Sequence, residues 1–310
     1  MNDRQLEYML AIVKEGNISH AADKLRVSQP SLSQMIKQIE NNLGTQIFKR
    51  YSNPIEMTYA GQQYISAAKK ILMIQKNLHN EIHDINNEVC GIARLGMPIQ
   101  RGLELISFFL PEFIKKYPHV TLKLVENGSA AIEEMVLNGE IDIGCVTTYP
   151  HYEELDYYLV ENEEMILFAD KDTDFAKSIP AETPITLTQA QYEPFIALKK
   201  GHSSRTIQDQ LVVNYNIHPR ILIETSSIEI AKRAAIACHA VMLCPRNYLN
   251  TTPELLNQAR IYPILGIETK REFFICHRKD LYLPKYMRDL IKILLQAQQV
   301  EKSTDNKSSS

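Results

Sequence analysis

Residues 17–50, NISHAADKLRVSQPSLSQMIKQIENNLGTQIFKR, constrain this chain more tightly than any other stretch. Apolar residues recur at helical spacing on both sides of a short polar break, so two amphipathic helices meet there at a tight turn. Upstream, Leu6, Met9, Leu10 and Val13 fall at helical intervals and give a first helix one buried stripe. Gly16-Asn17 ends it, because glycine tolerates the left-handed conformation that stops a helix. Ser19 is the expected N-cap of the second helix, with Ala21, Ala22 and Leu25 turned inward. The two alanines let a crossing helix come close. Arg26-Val27-Ser28 is the turn, with Val27 plugging the angle between helices. Ser28 or Gln29 caps the third helix, and Pro30 fits its first turn, where N–H groups have no internal partner. Leu32, Ile36, Ile39 and Leu43 make its buried stripe.

This is the form of a helix-turn-helix, whose second helix enters the major groove of DNA. The outward face of the third helix carries Gln29, Ser31, Ser33, Gln34, Lys37 and Gln38. Amide side chains can make paired contacts with adenine edges, and serine can pair with several bases. Lys37, Lys49 and Arg50 suit phosphate contacts. A polar stripe on its own is usually a solvated face. Here it coincides with the turn, the caps and the alanine pair. The candidate DNA contacts are Ser28, Gln29, Pro30, Ser31, Ser33, Gln34, Lys37, Lys49 and Arg50.

The segment EGNISHAADKLRVSQPSLSQMIKQIENNLGTQIFKR, followed by MTYAGQQY, resembles the LysR-type transcriptional regulators. The A-A-x-x-L, V-S-Q-P-S-L-S and I-E-x-x-L-G-x-x-I-F-x-R elements stand at the family spacing without gaps. The resemblance implies a winged helix with its wing at about Arg50 to Thr58, and bases facing Gln29, Pro30, Ser33 and Gln34. Gln34 stands where many members carry Arg, which favours adenine over guanine at that contact.

Charge distribution agrees. The 310-residue chain carries a net charge of -3, with ordinary globular proportions of hydrophobic (45%) and charged (23%) residues. Residues 1–76 hold 10 Lys and Arg against 6 Asp and Glu, a net of +4, while the remainder holds 24 against 31, a net of -7. The basic end is the one with the helix-turn-helix. Met1 to Glu7 is polar, and no apolar run approaches the ~20 residues that span a bilayer. Five scattered cysteines, Cys90, Cys145, Cys238, Cys244 and Cys276, form no CxxC pair and fit a reducing cytoplasm, the expected location. The Asn-x-Ser/Thr matches then carry no meaning. The tail KSTDNKSSS is polar and expected to be disordered.

A long helix is expected from about Tyr59 to Asn87. Tyr64, Ile71, Leu78 and Ile85 recur every seven residues, with Ala67 and Ile74 between them and Glu81 interrupting. That seam suits helix pairing between two chains, against the plainer alternative of a helix packed on its own domain. The resemblance implies the same: a linker helix pairing two winged helices, with dimers joining as tetramers. A two-fold dimer implies a near-palindromic operator with half-sites about one helical turn apart.

Cys90-Gly91 breaks the helix, and strands and helices alternate thereafter. Strands are expected at Ile92–Leu95, Val120–Glu126 and Ile141–Val146, and helices at Leu103–Lys116 and Ala130–Asn138. A second α/β unit spans roughly Leu167–Ile267, with a helix at Thr206–Tyr215, strands at Arg220–Glu224 and Ala240–Leu243, and Ser226 capping a helix in a capping box with Glu229. Glu272–Cys276 and the helix Lys285–Gln296 then return to the first unit. Such order predicts mostly parallel sheets covered by helices, with two crossings near Glu161–Met165 and Ile267–Lys270 making a hinge. The segment IARLGMP…LPEFIKKYPHVTLKLVENG…MVLNGEIDIGCV resembles the start of the family's effector-binding region, which is similar to a periplasmic binding protein. The expected fold is α+β and multidomain. Residues 1–58 form the winged helix-turn-helix, 59–89 the linker and dimerisation helix, 90–302 the effector-binding region and 303–310 a disordered tail. Subdomain I takes about 90–163 and 269–302, and subdomain II about 164–268.

Ligands of such sheets bind beyond the carboxyl ends of strands, where helix N-termini offer free N–H groups. The loops that qualify give the candidate effector residues Pro98, Ile99, Gln100, Gly128, Ser129, Thr147, Gly201, His202, Ser203, Thr225 and Ser226, with Thr148 beside Thr147. Converging hydroxyls and helix starts suit a small organic anion as effector, and Arg101, Lys200 and Arg205 could add charge. Each residue taken singly reads more readily as a helix cap or a solvated loop, and it is the set at equivalent strand ends that points to a ligand. Members of the family often carry a glycine-rich turn where this chain reads Ala237-Cys238-His239-Ala240-Val241. His239 or Cys238 then either projects toward the cleft or fills space and caps.

The enzyme classes leave no signature: H-E-x-x-H, G-x-S-x-G and a phosphate loop are all missing, so no catalytic residue and no cofactor are expected. A metal sensor would cluster His and Cys, whereas His79 and His83 read as solvated helix positions. A thiol switch through Cys238 and Cys244 is the alternative to a ligand-responsive regulator, set against the reading of the segment between them as a core strand that buries inert thiols. The expected partners are double-stranded DNA, a small-molecule effector, further copies of the chain and RNA polymerase, and no membrane.

Overall fold

The computed structural model describes residues 2–49, 54–85, 90–147, 149–266 and 271–308. The chain divides into two compact units, Met1–Glu88 with Leu281–Pro284, and Val89–Asp280 with Lys285–Ser310.

In the first unit α1 (Asp3–Glu15), α2 (Ile18–Leu25) and α3 (Gln29–Leu43) pack around Leu6, Met9, Ile12, Ala21, Ala22, Leu32, Ile36 and Ile39. Each start is fixed by a side-chain cap. Asn2 Oδ1 accepts from the Gln5 amide, and Ser28 Oγ from that of Ser31. The cap of α2 is Asn17, which accepts from the Ser19 and His20 amides at 2.8 and 3.2 Å. Ser19, the expected cap, lies inside the first turn because Asn17 is the residue with extended backbone and Ile18 is already helical. Leu43, expected in the core, is 50% exposed, since the helix leaves its packing surface as it reaches the stop at Gly44. The Glu40 carboxylate accepts from the Ile47 amide at 2.8 Å and holds the chain leaving α3.

An antiparallel bridge joins Phe48 and Met57, and residues 50–53, Arg50 among them, lie outside the described set. Thr58 Oγ1 donates to Gln46 O and accepts from the Gly61 amide, starting α4 (Tyr59–Ile85). Gly61 lies so near Ile47 O that a β-carbon there would stand 2.1 Å from it, so only glycine permits this approach. Tyr64, Ile65 and Ala68 pack α4 onto the other three helices, with Ile71 half-buried against them. The expected heptad seam is therefore shared: Tyr64 and Ile71 belong to their own unit, while Ile74, Leu78 and Ile82 are exposed at 66, 54 and 48%.

The second unit has two lobes. Lobe I is a five-stranded sheet ordered β2-β1-β3-β10-β4, from β1 (Gly91–Met97), β2 (Val120–Glu126), β3 (Ile143–Val146), β4 (Leu155–Glu163) and β10 (Arg271–Arg278). Its helices are α5 (Ile99–Lys116), α6 (Ser129–Leu137) and α10 (Lys285–Ser308). Lobe II is ordered β7-β6-β8-β5-β9, from β5 (Met165–Asp170), β6 (Pro194–Leu198), β7 (Arg220–Thr225), β8 (Val241–Pro245) and β9 (Ala259–Pro263), with α7 (Asp174–Ser178), α8 (Ser203–Asn214) and α9 (Ile228–Ala237). Along β5, Met165, Leu167 and Ala169 enter the core under α8, while Ile166 and Phe168 enter the core under α9. Side chains alternate along a strand, so an all-apolar run such as this is one buried on both faces.

The sheets are mixed rather than mostly parallel. β10 pairs antiparallel with β3 and β4, and β5 with β8 and β9. The reason lies in the lobe crossings: only Glu164 separates β4 from β5, so the chain crosses in extended form without a returning helix. The second expected crossing, 267–270, lies outside the described residues. The cap of α9 is Ser227, whose Oγ accepts from the Ile230 amide, rather than Ser226, which precedes the cap. Helix α10 continues to Ser308 and so takes in most of the tail expected to be disordered; extending an existing helix adds a hydrogen bond for each residue ordered.

Candidate functional site

On α3 the exposed face presents Gln29, Pro30, Ser31, Gln34, Lys37 and Gln38, with Ser33 half-buried. Gln29 Nε2 donates to Ser33 Oγ at 2.9 Å, which couples the two side chains at the start of the helix. Ser28 spends its hydroxyl on the cap. Lys49 Nζ meets Glu56 Oε2 at 2.6 Å beside the Phe48–Met57 bridge, and that contact lowers the Glu56 carboxyl below its usual range.

In the second unit a cavity of about 760 Å³ opens between the lobes. Three helices start at its wall, α5 after Pro98, α6 after Gly128 and α8 after His202, and none of the three receives a side-chain cap. By contrast α7 and α9, which start in the same lobe as α8, are capped by Thr173 and Ser227. Three uncapped N-termini turn partial positive charge and N–H groups toward one space.

Hydroxyls from both lobes meet there. Ser129 Oγ lies 3.0 Å from Thr147 Oγ1 and accepts from the Thr147 amide at 3.0 Å, and Thr147 Oγ1 lies 3.5 Å from Ser203 Oγ of lobe II. The Arg271 guanidinium joins them. It donates to Ser203 Oγ at 2.9 Å, Thr147 Oγ1 at 3.2 Å and Tyr248 Oη at 3.0 Å, and pairs with the buried Glu163. Burial and the facing Arg271 hold the His202 imidazole below its ordinary pKa, so it is neutral at pH 7.

Of the effector residues expected from sequence, Pro98, Ile99, Gln100, Gly128, Ser129, Thr147, Gly201, His202, Ser203 and Ser226 line this cavity. Thr225 does not; its hydroxyl turns back to accept from the Ser227 amide at 3.2 Å. Gln100 is committed across the lobes, donating to Glu229 and Thr251 at 3.0 Å. Lys200 lines the cavity, whereas Arg101 and Arg205 do not. Arg101 is fully buried among Glu104, Glu161 and Glu163, over the Phe273 ring, and Arg205 is bound to Leu198 O, Asp209 and Glu224. Thr148 lies outside the described residues.

Sequence reasoning missed Arg271, Tyr248, Tyr149 and His151, which also line the cavity. No local sequence signal marks Arg271, which opens the strand returning to lobe I and is placed by that strand's antiparallel pairing. Cys238 and His239 lie away from the cavity, in the exposed turn before β8. Cys244 is buried within β8, and desolvation pushes its thiol up to about 12.

The family models match both units. That of the LysR substrate binding domain covers residues 86–299, and that of the bacterial regulatory helix-turn-helix proteins of the lysR family covers residues 4–62. The chain belongs to the LysR family of transcriptional regulators.

This LysR-family regulator is 27% identical over 261 residues to the uncharacterized HTH-type transcriptional regulator YcgK of Bacillus subtilis (strain 168), across 79% of this chain and 80% of that one. It is 30% identical over 239 residues to a probable RuBisCO transcriptional regulator of Nostoc sp., across 74% of this chain and 69% of that one. Its fold is that of a full-length OxyR variant from Pseudomonas aeruginosa (TM-score 0.71, 19% identity, 96% of this chain and 95% of that one). It is also that of full-length CbnR solved with its target DNA (TM-score 0.58, 20% identity, 96% of this chain and 100% of that one). The regulator thus combines a DNA-binding helix-turn-helix with an effector-binding domain, and the curated relatives named here are transcriptional regulators rather than enzymes. No helix among the described residues is long and apolar enough to cross a membrane.

Proposed function

We propose that this regulator reads DNA through α3 and the wing after it, and that a small organic anion in the interlobe cavity sets that reading. In this division of labour residues 1–58 contact DNA, 59–89 pair two chains, and 90–302 hold the effector. Gln29, Pro30, Ser33 and Gln34 face the bases, Lys37, Lys49 and Arg50 meet phosphates, and Ser28 and Ser31 complete the contact surface at the start of the helix. Dimers assemble into tetramers that activate or repress, with contact to RNA polymerase as the route when they activate.

The observation that carries the effector reading is the convergence of three uncapped helix N-termini on one cavity, with Ser129, Thr147, Ser203 and Arg271 at its floor. A carboxylate satisfies orphan amides and hydroxyl donors together, whereas a cation would meet positive helix ends. Ser203 belongs to lobe II and Thr147 to lobe I, so an anion bound to both favours the closed arrangement and shifts the population of lobe positions.

Titration with a panel of small mono- and dicarboxylates, read by thermal shift and calorimetry, tests this. One acid should stabilise the wild type by about 2.7 kcal/mol at a hundredfold excess over Kd. Ser203→Ala should weaken it by about 1 kcal/mol, roughly fivefold, while Thr225→Ala, outside the cavity wall, should leave it unchanged. Equal affinity in Ser203→Ala and the wild type would place the site elsewhere.

A further inference from the structure

The turn that departs from the family's glycine-rich pattern holds a cluster with no part in the effector cavity. His239 adopts a φ of 48°, a left-handed conformation that penalises a β-carbon, yet the residue is not glycine. Its Nδ1 is bonded to the carboxylate of Asp170, the last residue of β5. The Asp170 side chain is 3% exposed and the His239 ring 67%. A deeply buried carboxylate is thus aimed outward at an exposed imidazole. Asp172, two residues on, is exposed and brings a second carboxylate, and one ligand atom from each of the three lies within 4.8 Å of the others. No other trio of His, Cys, Asp or Glu among the described residues is so placed.

The site is remote from the effector cavity. β8 runs parallel to β6 and antiparallel to β5, so the end of β5 and the start of β8 lie at the sheet end opposite the carboxyl ends of β6 and β7. The cavity opens at those carboxyl ends, and none of the three residues lines it.

We propose that Asp170, Asp172 and His239 bind one divalent transition-metal ion of borderline softness, with zinc as the type. One imidazole nitrogen and two carboxylate oxygens are a zinc ligand set, each at about 2.0–2.2 Å from the metal, and three protein ligands leave a fourth position for water. The imidazole disfavours calcium and magnesium, which take oxygen donors. Asp170 is the fixed member, while the exposed His239 and Asp172 turn to complete the shell. The Nδ1 lone pair goes to the ion in place of the hydrogen bond to Asp170, and the neutral ring carries its one proton on Nε2. Two carboxylates and a neutral ring balance the charge of a dication.

Zinc titration of the full chain, read by calorimetry and thermal shift with calcium as comparison, tests the site. His239→Gly relieves the left-handed φ but gives up the hydrogen bond to Asp170, so its metal-free Tm is measured beside the titration and a lost fold cannot mimic a lost ligand. The wild type should bind one zinc ion per chain with a raised Tm and give no response to calcium. His239→Gly and Asp172→Ala should each weaken zinc at least about tenfold, and Cys238→Ser should leave it unchanged. Unchanged zinc affinity in His239→Gly, or loss in Cys238→Ser with retention in Asp172→Ala, overturns the proposal. The effector reading is untouched by either result, because it is measured with carboxylates at the other end of the sheet.

Discussion

Asp289 on α10 shows how one charged residue ties two helices of lobe I together. Its carboxylate accepts from the Tyr117 hydroxyl at 2.5 Å and the Lys116 ammonium at 2.8 Å, both at the end of α5. Burial alone would raise its pKa, but the two donors outweigh burial and hold it below the usual carboxylate range. A depressed carboxylate stabilises the fold above its unfolded pKa, about 3.9, and loses that contribution as pH falls through its lower folded value. Lys116 is the larger of the two, and because it is half-exposed, water screens part of its share. Asp289→Asn should cost about 1–3 kcal/mol in denaturant unfolding at pH 7, with the deficit shrinking below about pH 4. An equal deficit at pH 7 and pH 3 would show that charge is not its basis. At this scale the sequence reveals residues whose role is local. Ser129 and Ser203 are legible because each opens a helix just after a strand or loop. Arg271 is not, because its position depends on the register of an antiparallel strand, and its partners Glu163 and Thr147 lie more than a hundred residues away in sequence.

Among elements, the helices of the first unit are legible from spacing and caps, since Leu6, Met9, Ile36 and Ile39 fall where the periodicity places them. The misplaced caps at Ser19 and Ser226 are errors of one or two residues between neighbouring cap-forming side chains. The strands β4 and β9 leave little trace, because β4 is an edge strand with Tyr158 and Leu159 exposed and β9 is mostly half-buried, so neither shows clean alternation. Helix α4 is the most instructive element. Its seven-residue repeat reads as one continuous seam, yet its first half packs on its own unit through Tyr64, Ile65 and Ala68. Exposed Ile74, Leu78 and Ile82 then lie on one face, each a turn from the next, as an apolar stripe suited to a second copy. Leu78→Lys puts a charge in the middle of that stripe. It should shift the chain toward monomer in sedimentation at micromolar concentration with an unchanged circular-dichroism spectrum. A dimer of undiminished strength would remove α4 from the interface.

At the scale of the whole molecule, the basic charge sits in residues 1–76 and the acidic excess in the rest, and this asymmetry matches the division between DNA and effector. The identity of the effector is not legible in the sequence, because the cavity wall is assembled from segments between Pro98 and Glu272 that only the fold brings together. The proposed base-reading residues, by contrast, all lie on α3 and can be tested base by base. The most direct measurement is selection of bound duplexes from a random pool by the full chain, followed by salt titration of the recovered sequence. The account predicts an enriched near-palindrome with half-sites about one helical turn apart. Gln34→Ala should relax the preference at a single position in each half-site, and Lys37→Ala should weaken all sequences evenly while lowering the salt slope by about 1. Recovery of no common motif, or identical losses on selected and random DNA for Gln34→Ala, would contradict it.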